Sequence, residues 1–164
     1  MNANDLKIGE NDSAFVITAV GRANFEYAVP IRELVNSNEG KKTIRLDLRE
    51  CTAMDRTFMG VLSMGALKAE DNGSSFEIYN ASDPLKRLLV DLGVDELFSY
   101  HEGFPGETGC AAGGKADMLT TAETVEEAHR KLVEADDANA ERFNDVINYA
   151  AADVERLKKN HSQH

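Results

Sequence analysis

The sequence predicts an α/β domain followed by a helical hairpin, and three observations lead to this prediction. β-rich apolar segments alternate with segments of helical periodicity through residues 13–102. Glycine then becomes frequent, and two long amphipathic stretches follow. Because 42% of the 164 residues are hydrophobic, the chain can bury a substantial core.

Each predicted strand is a short apolar or alternating run between turn residues. The strands are expected at 14–21, 43–48 and 76–80, with a short edge strand within 95–101. The intervening helices are expected after Gly21, with Pro30 near the first turn, at 57–73 and at 82–93. The helix at 57–73 is apolar almost all round, which predicts that it is packed deeply.

Composition divides the chain into four parts. We expect an N-terminal tail at 1–12, the α/β domain at 13–102, a glycine-rich linker at 103–118 and a helical hairpin at 119–160. The hairpin must bury its apolar stripes on the domain or on a partner. His129 lies on the apolar side of the first hairpin helix, so it is expected to be a packed residue.

The charge excludes several classes of function. A formal net charge of −11 disfavours nucleic acid and anionic lipid as partners, because both would repel this chain. The sequence contains no stretch long enough to cross a membrane and no signal-peptide pattern at its start. We therefore expect a soluble cytoplasmic protein.

The sequence predicts neither a metal site nor a cofactor. Cys51 and Cys110 lack the spacing of metal ligands, the four histidines are scattered, and no glycine-rich loop of phosphate-binding order follows a strand. No base lies near Thr57 in sequence, so a nucleophilic enzyme is disfavoured as well. We expect a protein without catalytic residues.

The segment Asp55-Arg56-Thr57 stands where a buried strand turns into a helix. Asp55 could serve only as the helix cap, since its carboxylate can accept hydrogen bonds from the next N–H groups. Alternatively, the hydroxyl of Thr57 would be exposed in the first turn, where backbone N–H groups can bind a phosphate. The residues alone leave both interpretations open.

Three segments resemble the STAS domains of bacterial anti-sigma factor antagonists. The segment IRLDLRECTAMDRTFMGVL resembles the family's strand followed by D-S-[ST]-G-[LM] at the start of a helix. The segments VGRANF and FEIYNASDPLKRLLVDLGVDELF resemble its early turn and its last strand and helix. The resemblance implies a mixed sheet of about four to five strands with helices packed against it.

The resemblance also implies a mechanism of partner switching. In the family, a serine/threonine kinase that is itself the anti-sigma factor phosphorylates the second hydroxyl residue of the motif, and a metal-dependent protein phosphatase removes the phosphate. Thr57 matches this phosphoacceptor and Asp55 matches the acidic residue. Arg56 and Phe58 replace the small residues of the pattern, so a docking module without a phosphate cycle is the alternative.

The resemblance places a partner-binding surface around this turn. Its expected members are Arg22, Asn24, Phe25, Asp55, Arg56, Phe58, Met59, Ser82 and Asp83. The hairpin is expected to tune specificity or to mediate self-association into a homo-oligomer. A response-regulator receiver, with Asp47 as phosphoacceptor, is a weaker alternative because the acidic pair that would hold Mg²⁺ is replaced by VGRAN.

Overall fold

The computed structural model describes residues 4–108 and 117–162, and a six-stranded sheet lies at its centre. The strands are β1 (Asp5–Glu10), β2 (Ala14–Ala23), β3 (Thr43–Asp47), β4 (Cys51–Met54), β5 (Phe76–Tyr79) and β6 (Ser99–His101). The strand order is β1-β2-β3-β5-β6, and β4 pairs with the far end of β2. β1 runs antiparallel to β2, and the other pairs are parallel.

Helices form two further layers on one face of this sheet. They are α1 (Phe25–Asn38), α2 (Arg56–Asp71), α3 (Asp83–Asp91), α4 (Met118–Ala135) and α5 (Asn139–Ser162). α1 and α2 pack on the sheet, and their residues share one buried core with the strands. The hairpin of α4 and α5 packs over α2 and α1, so that α2 lies between the sheet and the hairpin.

The predicted fold class is confirmed, but the sheet has six strands where about four to five were expected, and β1 and β4 lie outside the four segments predicted as strands. β1 lies in the stretch predicted to be an N-terminal tail, so that prediction is wrong for Asp5–Glu10. Only Leu6 and Ile8 are apolar in this strand, and that pattern is too short to be recognised in the sequence. The ladder with β2 and the burial of Leu6 hold it in place.

The position of Pro30 was also predicted wrongly. α1 begins at Phe25 because the side chain of Asn24 caps it, accepting a 2.9 Å hydrogen bond from the N–H of Glu26. Pro30 therefore lies inside the helix, at its sixth residue, and not in its first turn. Ile31, Leu34 and Val35 form the buried stripe that was predicted.

Residues 103–108 cross the face of the sheet that carries no helices. Gly103 exchanges two hydrogen bonds with Asn80 beyond β5, and Arg45 on β3 donates to the carbonyl of Pro105 at 3.1 Å. The backbone of Glu107 then passes so close to Gly9 on β1 that a Cβ there would collide with it. The rest of the predicted linker, including Cys110, lies outside the described residues, apart from Asp117 and Met118 at the start of α4.

Candidate partner-docking site

Three helices begin at one edge of the sheet, where parallel strands end. Asn24 follows β2 and caps α1, and Asp55 follows β4 and caps α2. Ser82 comes shortly after β5 and caps α3, accepting a 3.4 Å hydrogen bond from the N–H of Leu85. This edge therefore presents the positive ends of three helix dipoles side by side. We call it the docking edge.

Asp55 connects two of these helix starts. Its carboxylate accepts a 2.8 Å hydrogen bond from the N–H of Phe58, and its own N–H donates to the carbonyl of Ala23 at 3.0 Å. Burial raises the pKa of Asp55 above its usual range, although hydrogen bonds from backbone N–H groups and the nearby His129 oppose this shift. The predicted capping role is confirmed.

The sequence suggested an exposed Thr57. In the structure, only 6% of the Thr57 surface reaches solvent. It is the second residue of α2 and lines a concavity of about 460 Å³ between the start of α2 and α3. Among the described residues, no hydrogen bond engages the Thr57 hydroxyl. Because the Thr57 oxygen is not among the fully buried atoms without a partner, the hydroxyl borders the concavity and keeps some contact with solvent.

The groove beside Thr57 is largely apolar. Met54, Met59 and Leu88 line it together with Asp55 and Arg56. Leu88 comes from α3, so the position of α3 relative to α2 sets the width of the groove. A protein side chain of moderate size fits a concavity of this volume.

The predicted partner-binding residues divide by exposure. Arg22, Phe25, Arg56, Ser82 and Asp83 are exposed, and Asn24 and Asp55 are half-buried. Phe58 and Met59 are buried, so their inclusion in an accessible surface is corrected. Phe58 points into the core because its position in the first turn of α2 faces the sheet, where a large apolar side chain is stabilised by burial.

The hairpin reaches the docking edge from one side. Gly60 packs so closely against Ala128 of α4 that a Cβ at position 60 would collide with the Ala128 carbonyl. One turn earlier, the guanidinium of Arg56 lies 5.2 Å from the centroid of the Phe143 ring of α5. The apolar stripes of the hairpin are therefore buried on α2, and the exposed Arg56 marks the border between hairpin and docking edge.

His129 is packed, as predicted. Its ring meets Phe143 edge-to-face at 5.2 Å, and its Nδ1 lies 2.8 Å from the carbonyl of Val125. Burial lowers the pKa of His129, and the Arg56 charge adds to this, whereas the Val125 carbonyl and Asp55 oppose it. His129 is thus favoured in its neutral form.

The surface of α2 that receives the hairpin was not predicted from the sequence. Ala128 and Phe143 belong to the predicted apolar stripes, and Gly60 on α2 carried a further signal. A glycine inside an otherwise apolar helix costs stability unless another backbone approaches it. Which element makes that approach could not be read from the sequence.

Other chemistry finds little support within residues 4–108 and 117–162. No group of three or more His, Cys, Asp or Glu side chains there could hold a metal ion. Asp47 accepts hydrogen bonds from the N–H of Arg49 and from Asn80, both at 3.0 Å, and so closes a turn. None of the helices in the described part of the chain is both long and apolar enough to cross a membrane.

Comparison with known proteins agrees with the geometry. The family described as "Mlab, STAS domain" matches residues 6–99. The unphosphorylated form of the anti-sigma factor antagonist SpoIIAA is similar, with 14% identity and a TM-score of 0.50 over 62% of this chain and 89% of that one. A putative anti-sigma factor antagonist from Thermotoga maritima is also similar, with 16% identity and a TM-score of 0.52 over 60% of this chain and 87% of that one. The phosphorylated form of the Bacillus cell fate determinant SpoIIAA is similar as well, with 15% identity and a TM-score of 0.51 over 63% of this chain and 93% of that one. No protein in the curated set matches the chain.

Proposed function

Because the chain belongs to the STAS domain family, we propose that it regulates another protein by docking to it, in the manner of an anti-sigma factor antagonist. The observation that carries this proposal is the docking edge, where three helices begin side by side. The hairpin covers the flank of α2 but leaves Phe25, Arg56 and Asp83 exposed. These side chains form the contact surface.

The proposed action is binding without catalysis, in the cytoplasm of a bacterial cell. Arginine and phenylalanine are residue types enriched at interfaces, and both stand exposed here beside an apolar groove. The partner is the anti-sigma factor, which is itself a serine/threonine kinase. Its binding would free a sigma factor for transcription.

The burial of Thr57 favours docking without a phosphate cycle. A phosphate on its Oγ1 would add nearly two negative charges beside Asp55, on a side chain of which only 6% reaches solvent. Arg56 could pair with such a phosphate, but its guanidinium lies over Phe143.

Charge reversal at the docking edge tests the function. Arg56→Glu and Asp83→Lys should each weaken binding of the full-length chain to the purified kinase-type anti-sigma factor by about tenfold or more, as expected for central interface residues. Arg130→Glu is the matched control, because Arg130 lies on α4 away from the edge and makes one exposed ion pair with Glu126. Equal binding by the wild type and both edge variants would refute the proposal that the docking edge binds the anti-sigma factor.

The second candidate is control by phosphorylation at Thr57. The observation in its favour is that the Thr57 hydroxyl has no hydrogen-bond partner among the described residues and lies at a helix N-terminus. In this reaction the γ-phosphoryl group of ATP is transferred to Thr57 Oγ1 and ADP leaves. The metal-dependent phosphatase later releases inorganic phosphate.

Intact-mass measurement distinguishes the two candidates. Wild type and Thr57→Ala are incubated with the kinase-type anti-sigma factor and MgATP, and Thr52→Ala, at an exposed position on β4, is the control. The docking candidate predicts no added mass on any of the three. One phosphate on wild type and Thr52→Ala, but none on Thr57→Ala, would establish the second candidate instead.

A further inference from the structure

We propose that the outer groove of the hairpin binds a second copy of this chain, so that two hairpins form a four-helix bundle. The groove has a volume of about 480 Å³ and is lined by residues of α4 and α5 together with Phe25 at the start of α1. This inference concerns self-association and does not depend on the docking function.

The groove is a second apolar face that the hairpin does not use for its own folding. The inner stripes of α4 and α5 include Ala128, Leu132, Phe143 and Ile147, which already belong to the protein core. The outer face repeats the same helical spacing with Met118, Ala122 and Val125 on α4 and Val146, Tyr149 and Leu157 on α5. A helix with apolar residues on two sides is expected to be covered on both.

The most prominent side chains of this groove are exposed to solvent in the single chain. Met118 is 69% exposed and Tyr149 is 79% exposed. Methionine and tyrosine are enriched at the cores of protein interfaces, and two adjacent antiparallel helices provide a groove into which further helices pack. The surface therefore fits helical partners.

The charge distribution of the chain favours a second copy as the protein that binds in the groove. The whole chain carries a formal net charge of −11, so two copies repel each other over most of their surfaces. α5 is different, because its four acidic and four basic residues leave it with a formal charge of zero. Two copies can therefore approach through α5 with the least repulsion.

The charges in the groove are also self-complementary. Its only charged lining residues are Asp153 and Arg156, whose side chains lie 3.3 Å apart within one chain. In an antiparallel two-fold arrangement, Arg156 of each copy faces the partner's Asp153, as an isologous interface requires.

Sedimentation equilibrium of the full-length chain, from micromolar to millimolar concentration, tests this inference. We expect the wild type to pass from one to two copies, and Tyr149→Glu to raise the dimer dissociation constant at least about tenfold, because it places a charge in an apolar interface. Val90→Glu is the matched control, since Val90 is an exposed apolar residue of α3 outside the groove. At micromolar concentration, where the chain is expected to be a single copy, thermal unfolding should remain unchanged in both variants, because both side chains are exposed.

A charge exchange tests the two-fold geometry. Asp153→Arg and Arg156→Asp should each weaken the dimer, and the double variant should restore it to within about threefold of wild type, because the pairs are again complementary. A wild-type chain that stays monomeric throughout, or a dimer that Tyr149→Glu does not weaken, overturns the inference. A double variant as weak as the single variants overturns the proposed pairing. Phe25 of the docking edge also lines the groove, so binding of Tyr149→Glu to the kinase-type anti-sigma factor is measured in parallel, and unchanged binding separates this outcome from that of the docking experiment.

Discussion

The sheet domain and the hairpin differ in how they use α2. The sheet buries α2 through large side chains such as Phe58 and Leu62, and this packing lies within the residues that match the family. The hairpin meets the opposite flank through the close contact of Gly60 with Ala128 and through Phe143. The difference shows that a STAS helix can pack against a sheet on one side and against a helical hairpin on the other when the second side carries small residues such as Gly60.

The strongest test of this comparison is the truncation of Phe143. Phe143 is fully buried on α5 and contacts both His129 and Arg56. Phe143→Ala should lower the free energy of unfolding by about 3–5 kcal/mol, as buried aromatic truncations do. Denaturant unfolding should still show one transition if hairpin and sheet form one core. Phe104→Ala is the control, because Phe104 is largely exposed.

Gly60→Ala should have the next largest effect. Alanine favours helices over glycine by about 1 kcal/mol, so stabilisation is expected wherever space allows. At position 60 the new Cβ would meet the backbone of Ala128, and we expect a net loss of about 2 kcal/mol. Gly65→Ala is the matched variant on the same helix, because its Cβ would meet only side chains of Phe76 and Val35, at 3.0 Å. Equal effects of the two variants would contradict a special contact between hairpin and α2.

The free energy of unfolding should depend on pH because His129, on α4 of the hairpin, is buried in its neutral form. Its pKa is lower in the folded protein than the ordinary value of 6.5, so the unfolded chain binds the proton more readily. The stabilisation by neutral His129 is therefore fully present above pH 6.5 and decreases as the pH falls below it. The raised pKa of Asp55 acts in the opposite sense, because the folded state then favours its protonated form.

His129→Gln tests this assignment. Urea unfolding of wild type from pH 8 to pH 5 should show the loss of stability, and the variant should lose less of it. His101→Gln is the control, because His101 lies on β6 away from the hairpin. A wild-type profile that is flat through this range would contradict the burial of a neutral histidine beside Asp55.

The smallest expected effect concerns the ion pair between α1 and α4. Arg32 and Glu127 lie 2.7 Å apart and are only partly exposed. Glu127→Gln should lower the free energy of unfolding by less than about 1 kcal/mol, since such pairs contribute little. Glu134→Gln, in an exposed pair with Lys131 within α4, should have a smaller effect still. A loss as large as that of Gly60→Ala would place the main hairpin contact on α1 and not on α2.

Much of the fold could be predicted because its signals are local. The alternation of Ile44, Leu46 and Leu48 identified β3, and the cap and stripe of 82–93 identified α3. β1 was missed because two apolar residues give no reliable period. The hairpin helices were predicted from their stripes, but the surface that receives them depends on Gly60, whose role appears only when Ala128 lies against it.

The site was harder to predict than the fold. The motif placed Asp55 correctly as a cap, because capping depends on neighbouring residues. Leu88 of α3, which is distant in sequence, lines the concavity beside Thr57, and the Thr57 side chain is much less exposed than expected. Local chemistry can therefore identify a helix start, but it cannot show how much of that start is exposed.

The position of α2 between two layers has a consequence for biosynthesis. Domains fold from the N-terminus as the ribosome advances at about 5–20 residues per second, so the sheet domain would be complete several seconds before the last turns of α5 emerge. During that interval the flank of α2 around Gly60 has no cover, and the nascent protein displays an apolar strip that the finished molecule hides. A chaperone that binds nascent chains would find its target there.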